Sequence, residues 1–184
     1  MSEGESRLSR GVSLTRPYQP PVKFFPLAQL RKLRKCEQVA AVCYRIGASG
    51  IEFLLVRTNS GHWTFPKGGT EPGLTHAQAA ALEAFEEAGV HGRIEEASFA
   101  QYVRQKRRAT EKARSVNAHL CEVLRLDSPQ EPNRDPTWFS AEKTKRRLRQ
   151  DRPPDFAAEL ARVVDLAVSR IQRLRLGGLS STGS

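Results

Sequence analysis

Cysteine is scarce in this sequence. Cys36, Cys43 and Cys121 are the only three in 184 residues. They form no Cys-x-x-Cys pair and leave an odd count, which argues against a disulfide framework and for a reducing, cytoplasmic setting. The histidines His62, His76, His91 and His119 have no zinc-type spacing with those cysteines, which speaks against a structural zinc site. Aromatic residues make up 7% of the chain. No RNP-like aromatic motif accompanies the basic residues, so an RNA-reading fold lacks its usual stacking platform. No apolar run approaches the roughly 20 residues that a membrane-spanning helix needs. MSEGESRLSR at the N-terminus carries acids and no apolar stretch, so a secretory signal is not expected. A G-x-S-x-G elbow, a G-x-x-x-x-G-K-[ST] loop and internal repeats are also missing.

Positive charge is plentiful. Thirty Lys and Arg against twenty Asp and Glu give a net charge of +10 and a pI near 10.1. Such a surface attracts polyanions: nucleotides, polyphosphates, nucleic acid or anionic membrane. The hydrophobic share of 39% and the length suit one soluble globular domain with extensions.

Along the chain, residues 1–23 are rich in Ser, Gly, Arg and Pro and read as a loose extension. Residues 27–35 (LAQLRKLRK) have the spacing of a short amphipathic helix. Residues 39–46 and 51–57, separated by Gly47-Ala48-Ser49-Gly50, predict a β-hairpin. A short extended piece, 62–65, follows, with Phe65 expected in the core. Residues 91–93 read as a turn, 94–103 as extended, and 116–126 as a returning strand. Between them 104–114 (RQKRRATEKAR) is a basic run, equally a solvated tip or a cationic rim for a phosphorylated ligand. Glu122 has no predicted side. Trp138-Phe139-Ser140 precedes a basic helix. Asp155 is expected to cap a second helix with Phe156, Leu160, Val163, Val164, Ala167, Ile171 and Leu174 on one face.

The most informative stretch is 65–90, FPKGGTEPGLTHAQAAALEAFEEAGV. Thr75 and Gln78 have capping-box spacing, the alanines favour helix, and Gly89 sits where a left-handed cap belongs. Glu83, Glu86 and Glu87 are spaced i, i+3, i+4 and project from one face. Three anions near a helix C-terminus repel one another and oppose the macrodipole, so a cation should offset them. Hard divalent ions prefer such oxygen ligands and share their shell with phosphates. Gly68 and Gly69 in the preceding loop permit close backbone approach, and Lys67 offers a point charge for phosphate.

These residues resemble the Nudix hydrolase signature, G-x5-E-x7-R-E-U-x-E-E-x-G-U with U aliphatic. Anchored on Gly68, the chain supplies Glu83, Ala84, Glu86, Glu87, Gly89 and Val90 in register, and the resemblance spans about 37–150. Leu74 stands in place of the first Glu and Leu82 in place of the Arg, which in the family orients the helix glutamates by a salt bridge. Glu71 is near Leu74 but out of register. The PKG…GLT…AAA.EA.EEAGV.G run is similar to bacterial proteins that resemble diphosphoinositol-polyphosphate phosphohydrolases.

The resemblance implies an α/β (α+β) Nudix fold, a mixed β-sheet sandwiched between helices. It divides the chain into an extension (1–36), a Nudix domain (37–176) and a disordered tail (177–184). It implies a hydrolase of phosphoanhydride bonds using Mg2+ or Mn2+. Glu83, Glu87 and the Gly68 carbonyl would hold metal, and Glu86 would hold a second metal or act as general base. Arg57, Lys67, Gly69, Arg104, Lys106 and Arg107 are the candidate substrate contacts, with Trp63 at the site wall and His76 exposed. The favoured substrate is a phosphorylated small molecule such as a dinucleoside polyphosphate or diphosphoinositol polyphosphate. Two alternatives remain: a catalytically weak nucleotide-sensing module, which Leu82 favours, and a nucleic-acid binder, which the charge favours. A homodimer is compatible with the family, and no membrane partner is expected.

Overall fold

The computed structural model describes residues 37–104 and 114–180. Two apolar runs set its centre. In VAAVCY (39–44) and FLLV (53–56) apolar residues follow one another without alternation, the pattern of strands covered on both faces. They lie in β1 (Glu37–Gly47) and β2 (Gly50–Arg57), an antiparallel hairpin in which Tyr44 pairs with Phe53 and Gly47 with Gly50. Gly50 closes the turn at φ 115°, a conformation glycine adopts without steric cost.

Around this hairpin the other strands assemble. β3 (Trp63–Thr64) pairs with β2, and β4 (Lys67–Gly69) pairs with the start of β1. β7 (Arg114–Leu126) runs parallel to β1, from Glu37 opposite Ser115 to Tyr44 opposite Glu122. β5 (Val90–Ile94) and β6 (Ala100–Arg104) both run antiparallel to β7, and β8 (Thr137–Ser140) runs antiparallel to β2. The eight strands form one mixed sheet along the path β3-β2-β1-β7-β5.

Helices cover both faces, as expected. α1 (His76–Ala88) packs Ala79, Ala80, Ala84 and Ala88 against Val39, Ala41 and Cys43 of β1 and Leu54 and Val56 of β2. α2 (Ala141–Arg149) and α3 (Pro154–Ser180) bring Leu148, Leu160, Val163, Val164 and Ile171 to the opposite face, onto Ala40, Val42, Phe53 and Leu55. Successive β1 residues thus serve two separate cores, as the two-residue period of a strand requires. Phe65 is buried as expected.

Some expectations are corrected. Residues 91–93 are not a turn but part of β5, held to β7 through a bulge at His91/Gly92. A Cβ at Gly92 would stand 2.3 Å from the Glu122 carbonyl oxygen, so the glycine marks a close strand approach rather than a reversal. Residues 94–103 are split between β5 and β6. Glu95 and Phe99 donate backbone bonds to Leu120 and Ala118 across the gap. Asp155 lies inside the first turn of α3, because Pro154 opens that helix, a position where its missing N–H costs nothing. Leu174 is exposed rather than in the core. Gly177 to Ser180, expected in the tail, continue α3, since extending an existing helix costs far less than nucleating one. Glu122 points outward, near Arg93 at 3.7 Å. Cys43 and Cys121 are register partners, buried and reduced. Residues 1–36, including Cys36 and the helix expected over 27–35, lie outside the described residues, as do 105–113 with Lys106 and Arg107. Among the described residues, no helix is long and apolar enough to cross a membrane.

Candidate active site

The site is built by α1 and the short strand before it. α1 starts on the expected capping box: Thr75 Oγ1 accepts from the Gln78 N–H at 3.2 Å, and Gln78 Oε1 accepts from the Thr75 N–H at 2.9 Å. It ends at Gly89, left-handed at φ 66°, where a Cβ would lie 2.0 Å from the Asp127 carbonyl oxygen. No side chain other than hydrogen fits there. Alanines at 80, 84 and 88 let the helix lie close on the sheet, and that closeness carries the acids down to β4. β4 is itself fixed by pairing of Gly68 with Val39 and of Lys67 with Ala40.

Glu87 is only 2% exposed. Its Oε2 accepts from the Lys67 backbone N–H at 3.1 Å, and its Oε1 pairs with an Arg134 guanidinium nitrogen at 2.7 Å. Burial raises the Glu87 pKa, while the charges of Arg134 and Lys67 pull it back. Glu83 lies directly against Gly68: a Cβ there would be 1.6 Å from Glu83 Oε1. Burial, then the neighbouring carboxylates of Glu87, Glu86 and Glu131, push its pKa up to about 7. Both shifts report carboxylates crowded out of water, the condition a bound cation relieves. Lys67 moves the other way, lowered chiefly by burial.

Beside Lys67 opens a cavity of about 230 Å³, lined among others by Lys67, Arg104, Arg152, Tyr102 and Phe156. Tyr102 and Phe156 stand 6.3 Å apart, and the Tyr102 hydroxyl is buried without a hydrogen-bond partner. Three cations beside two rings suit an anionic ligand carrying an aromatic group.

The structure brings Glu83, Glu86, Glu87, Gly68, Lys67 and Arg104 to one region, and leaves two candidates differently employed. Arg57 is tied to Asp135 at 3.3 Å and to the Gly61 carbonyl at 3.1 Å, and lies over the Trp63 ring at 4.4 Å. Gly69 has open space where a Cβ would stand, so nothing there demands glycine. Trp63 is a core residue, edge-on to Phe139 at 5.0 Å. His76 is exposed, as expected. Arg134, Glu131, Tyr102 and Arg152 escaped the sequence reading. Each sits in a loop, a strand or a helix approach with no periodic or motif signal, and only folding brings it here.

As to a metal, among the described residues no three His, Cys, Asp or Glu side chains converge tightly enough to grip one. The donor set nevertheless suits a hard cation. Glutamate oxygens are its preferred ligands, and the bare Gly68 backbone lets the Glu83 carboxylate lie against it, in space that a Cβ would take.

Several known proteins are similar to this chain in sequence or fold. The asymmetrical bis(5'-nucleosyl)-tetraphosphatase of Sus scrofa is 46% identical over 48 residues, 25% of this chain and 33% of the relative. The chain thus matches about a third of that relative's length. The crystal structure of the Ap4A hydrolase of C. elegans superposes with a TM-score of 0.56 at 26% identity, covering 74% of this chain and 98% of that one. The NUDIX domain of Shewanella oneidensis NrtR, solved with ADP ribose, shares the fold with a TM-score of 0.56 at 19% identity, over 73% of this chain and 87% of that one. Residues 37–160 match the NUDIX domain, and with its signature helix in place over the sheet the chain belongs to the Nudix family.

Proposed function

We propose that this chain is a divalent-metal-dependent pyrophosphohydrolase cleaving a phosphoanhydride bond in a nucleoside diphosphate-linked or polyphosphorylated substrate. A dinucleoside polyphosphate is the favoured class. The observation that carries the reading is the Glu83 carboxylate lying on the Gly68 backbone, beside a buried Glu87 held by the Lys67 N–H. Likeness to the C. elegans Ap4A hydrolase along 98% of that chain favours the substrate class, and so does the cationic, aromatic-walled cavity next door.

In this reading Glu83, Glu87 and the Gly68 carbonyl hold Mg2+ or Mn2+. The ion, when bound, neutralises charge on the phosphoryl oxygens and lowers the pKa of water. Lys67, Arg104 and Arg152 receive the phosphate chain, and Tyr102 and Phe156 form the apolar wall for a base. Glu86 takes the proton of the attacking water. The proposed catalytic unit runs from residue 37 to the end of α3 at Ser180.

The test is product formation with Mg2+ or Mn2+ from a panel of dinucleoside polyphosphates, nucleotide sugars, nucleoside triphosphates and diphosphoinositol phosphates, beside Glu83→Gln. Metal-dependent cleavage lost in the variant is the expected result. A panel with no turnover, under conditions where the protein is folded and metal is in excess, rejects the reading.

A further inference from the structure

Helix α1 carries three glutamates toward its C-terminal end and no basic residue in its last turn. Position 82, where the family signature has arginine, holds a leucine 36% exposed to solvent. A carboxylate as buried as Glu87 is costly unless it is paired and hydrogen-bonded, so the compensating cation has to come from elsewhere in the chain. It comes from the loop joining β7 to β8.

We propose that Arg134 of this loop is a positioning residue for the hydrolytic site, fixing the Glu87 carboxylate that binds the metal in place of a cation on the helix itself. The inference rests on the hydrolase reading above. Arg134 is held at each of its three guanidinium nitrogens. One terminal nitrogen bridges Glu87 Oε1 at 2.7 Å and Glu131 Oε2 at 2.5 Å. Its Nε donates to Glu131 Oε2 at 2.7 Å, and the other terminal nitrogen donates to the Arg57 carbonyl at 3.3 Å. Its own carbonyl accepts from the Arg57 N–H at 2.6 Å. The guanidinium side chain is 16% exposed, so the pair works with little solvent screening.

The loop is shaped to deliver this residue. The Glu131 N–H donates to the Glu86 carbonyl at 2.9 Å, and the Asp127 N–H donates to the Gly89 carbonyl at 2.8 Å. Two otherwise unsatisfied carbonyls at the end of α1 are thereby capped by the loop itself. Asn133 and Asp135, flanking Arg134, are both left-handed, at φ 63° and 46°. Non-glycine residues hold that conformation at a cost and only where surrounding contacts over-determine it. The cost is met here by the Arg134 contacts and by Asp135, which pairs with Arg57 at 3.3 Å. Since Glu87 has one oxygen on the Lys67 N–H and the other on Arg134, its plane is fixed while each oxygen keeps a further lone pair for a metal.

The experiment compares Arg134→Leu and Arg134→Lys with the parent by calorimetric titration of the full chain with Mn2+ alone, then by kcat and KM on the best substrate. Thermal melts run alongside. Loss of a residue that orients a metal ligand weakens the metal roughly 10–100-fold. Arg134→Leu should therefore bind Mn2+ weaker by about that factor and lose kcat with KM little changed. Arg134→Lys keeps the charge without the planar fork and should fall between. Mn2+ bound as tightly by Arg134→Leu as by the parent overturns the inference, and tighter binding also does, since it would make Arg134 a competitor of the ion. Should Arg134→Leu not fold, Arg134→Lys decides: affinity and kcat equal to the parent's overturn it, and a several-fold fall in both supports it. A parent chain that binds no Mn2+ overturns this inference together with the hydrolase reading, whereas parent binding with unaffected variants overturns this inference alone.

Discussion

The two faces of the sheet are packed in opposite styles. Toward α1 the helix side chains are small: alanines at 79, 80, 84 and 88 meet Val39, Ala41, Cys43, Leu54 and Val56. Toward α2 and α3 they are large: Leu148, Leu160, Val163, Val164 and Ile171 meet Phe53, Leu55 and Phe65. Larger buried side chains remove more apolar area from water, at roughly 25 cal/mol per Å², so the second face holds more of the stability. The alanine face gives up that gain for proximity. A helix that close to β4 can lay Glu83 on the Gly68 backbone, and a bulkier interface would lift it away. One face keeps the domain folded, and the other sets the distances of the chemistry.

Truncating the large face should cost the most stability. Ile171→Ala leaves a cavity in the α3 core and should destabilise by about 2–5 kcal/mol, read as a fall in melting temperature with kcat intact in the folded protein. Activity lost in step with nothing but temperature agrees with the comparison. A kcat collapse at 10 °C contradicts it. At the site, Gly68→Ala should do the reverse. The added methyl displaces Glu83, and a misplacement of about 1 Å costs on the order of a hundredfold in rate, while the melt changes little. Normal turnover in that variant would mean Glu83 is not where the reaction needs it.

Ala84→Leu sharpens the contrast on one helix. Overpacking should cost about 1–3 kcal/mol, with a further loss of activity that Ile171→Ala does not show. The two variants, matched for stability in mild urea, are compared by kcat. The smallest effect is electrostatic. Glu83 titrates near 7 in the folded, metal-free protein against about 4.3 unfolded, so the folded state binds its proton more tightly. Folding stability is therefore eroded as pH rises from about 4.5 through 7. Glu83→Gln should gain about 1–2 kcal/mol at pH 8, a figure reduced for solvent screening, and almost nothing at pH 5. Melts at the two pH values with a metal chelator measure it, and an equal gain at both would rule out the buried charge as its source.

Several features could be read before folding because their physics is local. The capping box at Thr75, the left-handed Gly89 and the hairpin at Gly50 each depend on residues within a few positions of one another, and each was found where expected. The family signature was legible for the same reason, since its glutamates share one helix. Residues 91–93 misled because Gly92 suggests a turn when viewed alone. Its glycine answers to the Glu122 carbonyl, thirty positions away.

What the sequence determined by itself was the acid-bearing helix, through its ends and glutamate spacing, and, through the resemblance of that stretch to the Nudix signature, the fold class. What only the tertiary structure decided was how the acids are balanced. Arg134 lies 47 residues beyond Glu87 in a loop without periodicity, yet it comes within 2.7 Å of that carboxylate. The division follows from range. Secondary structure answers to hydrogen bonds and side-chain periods over a few residues, whereas a buried charge must find its partner in space, wherever in the chain that partner happens to be.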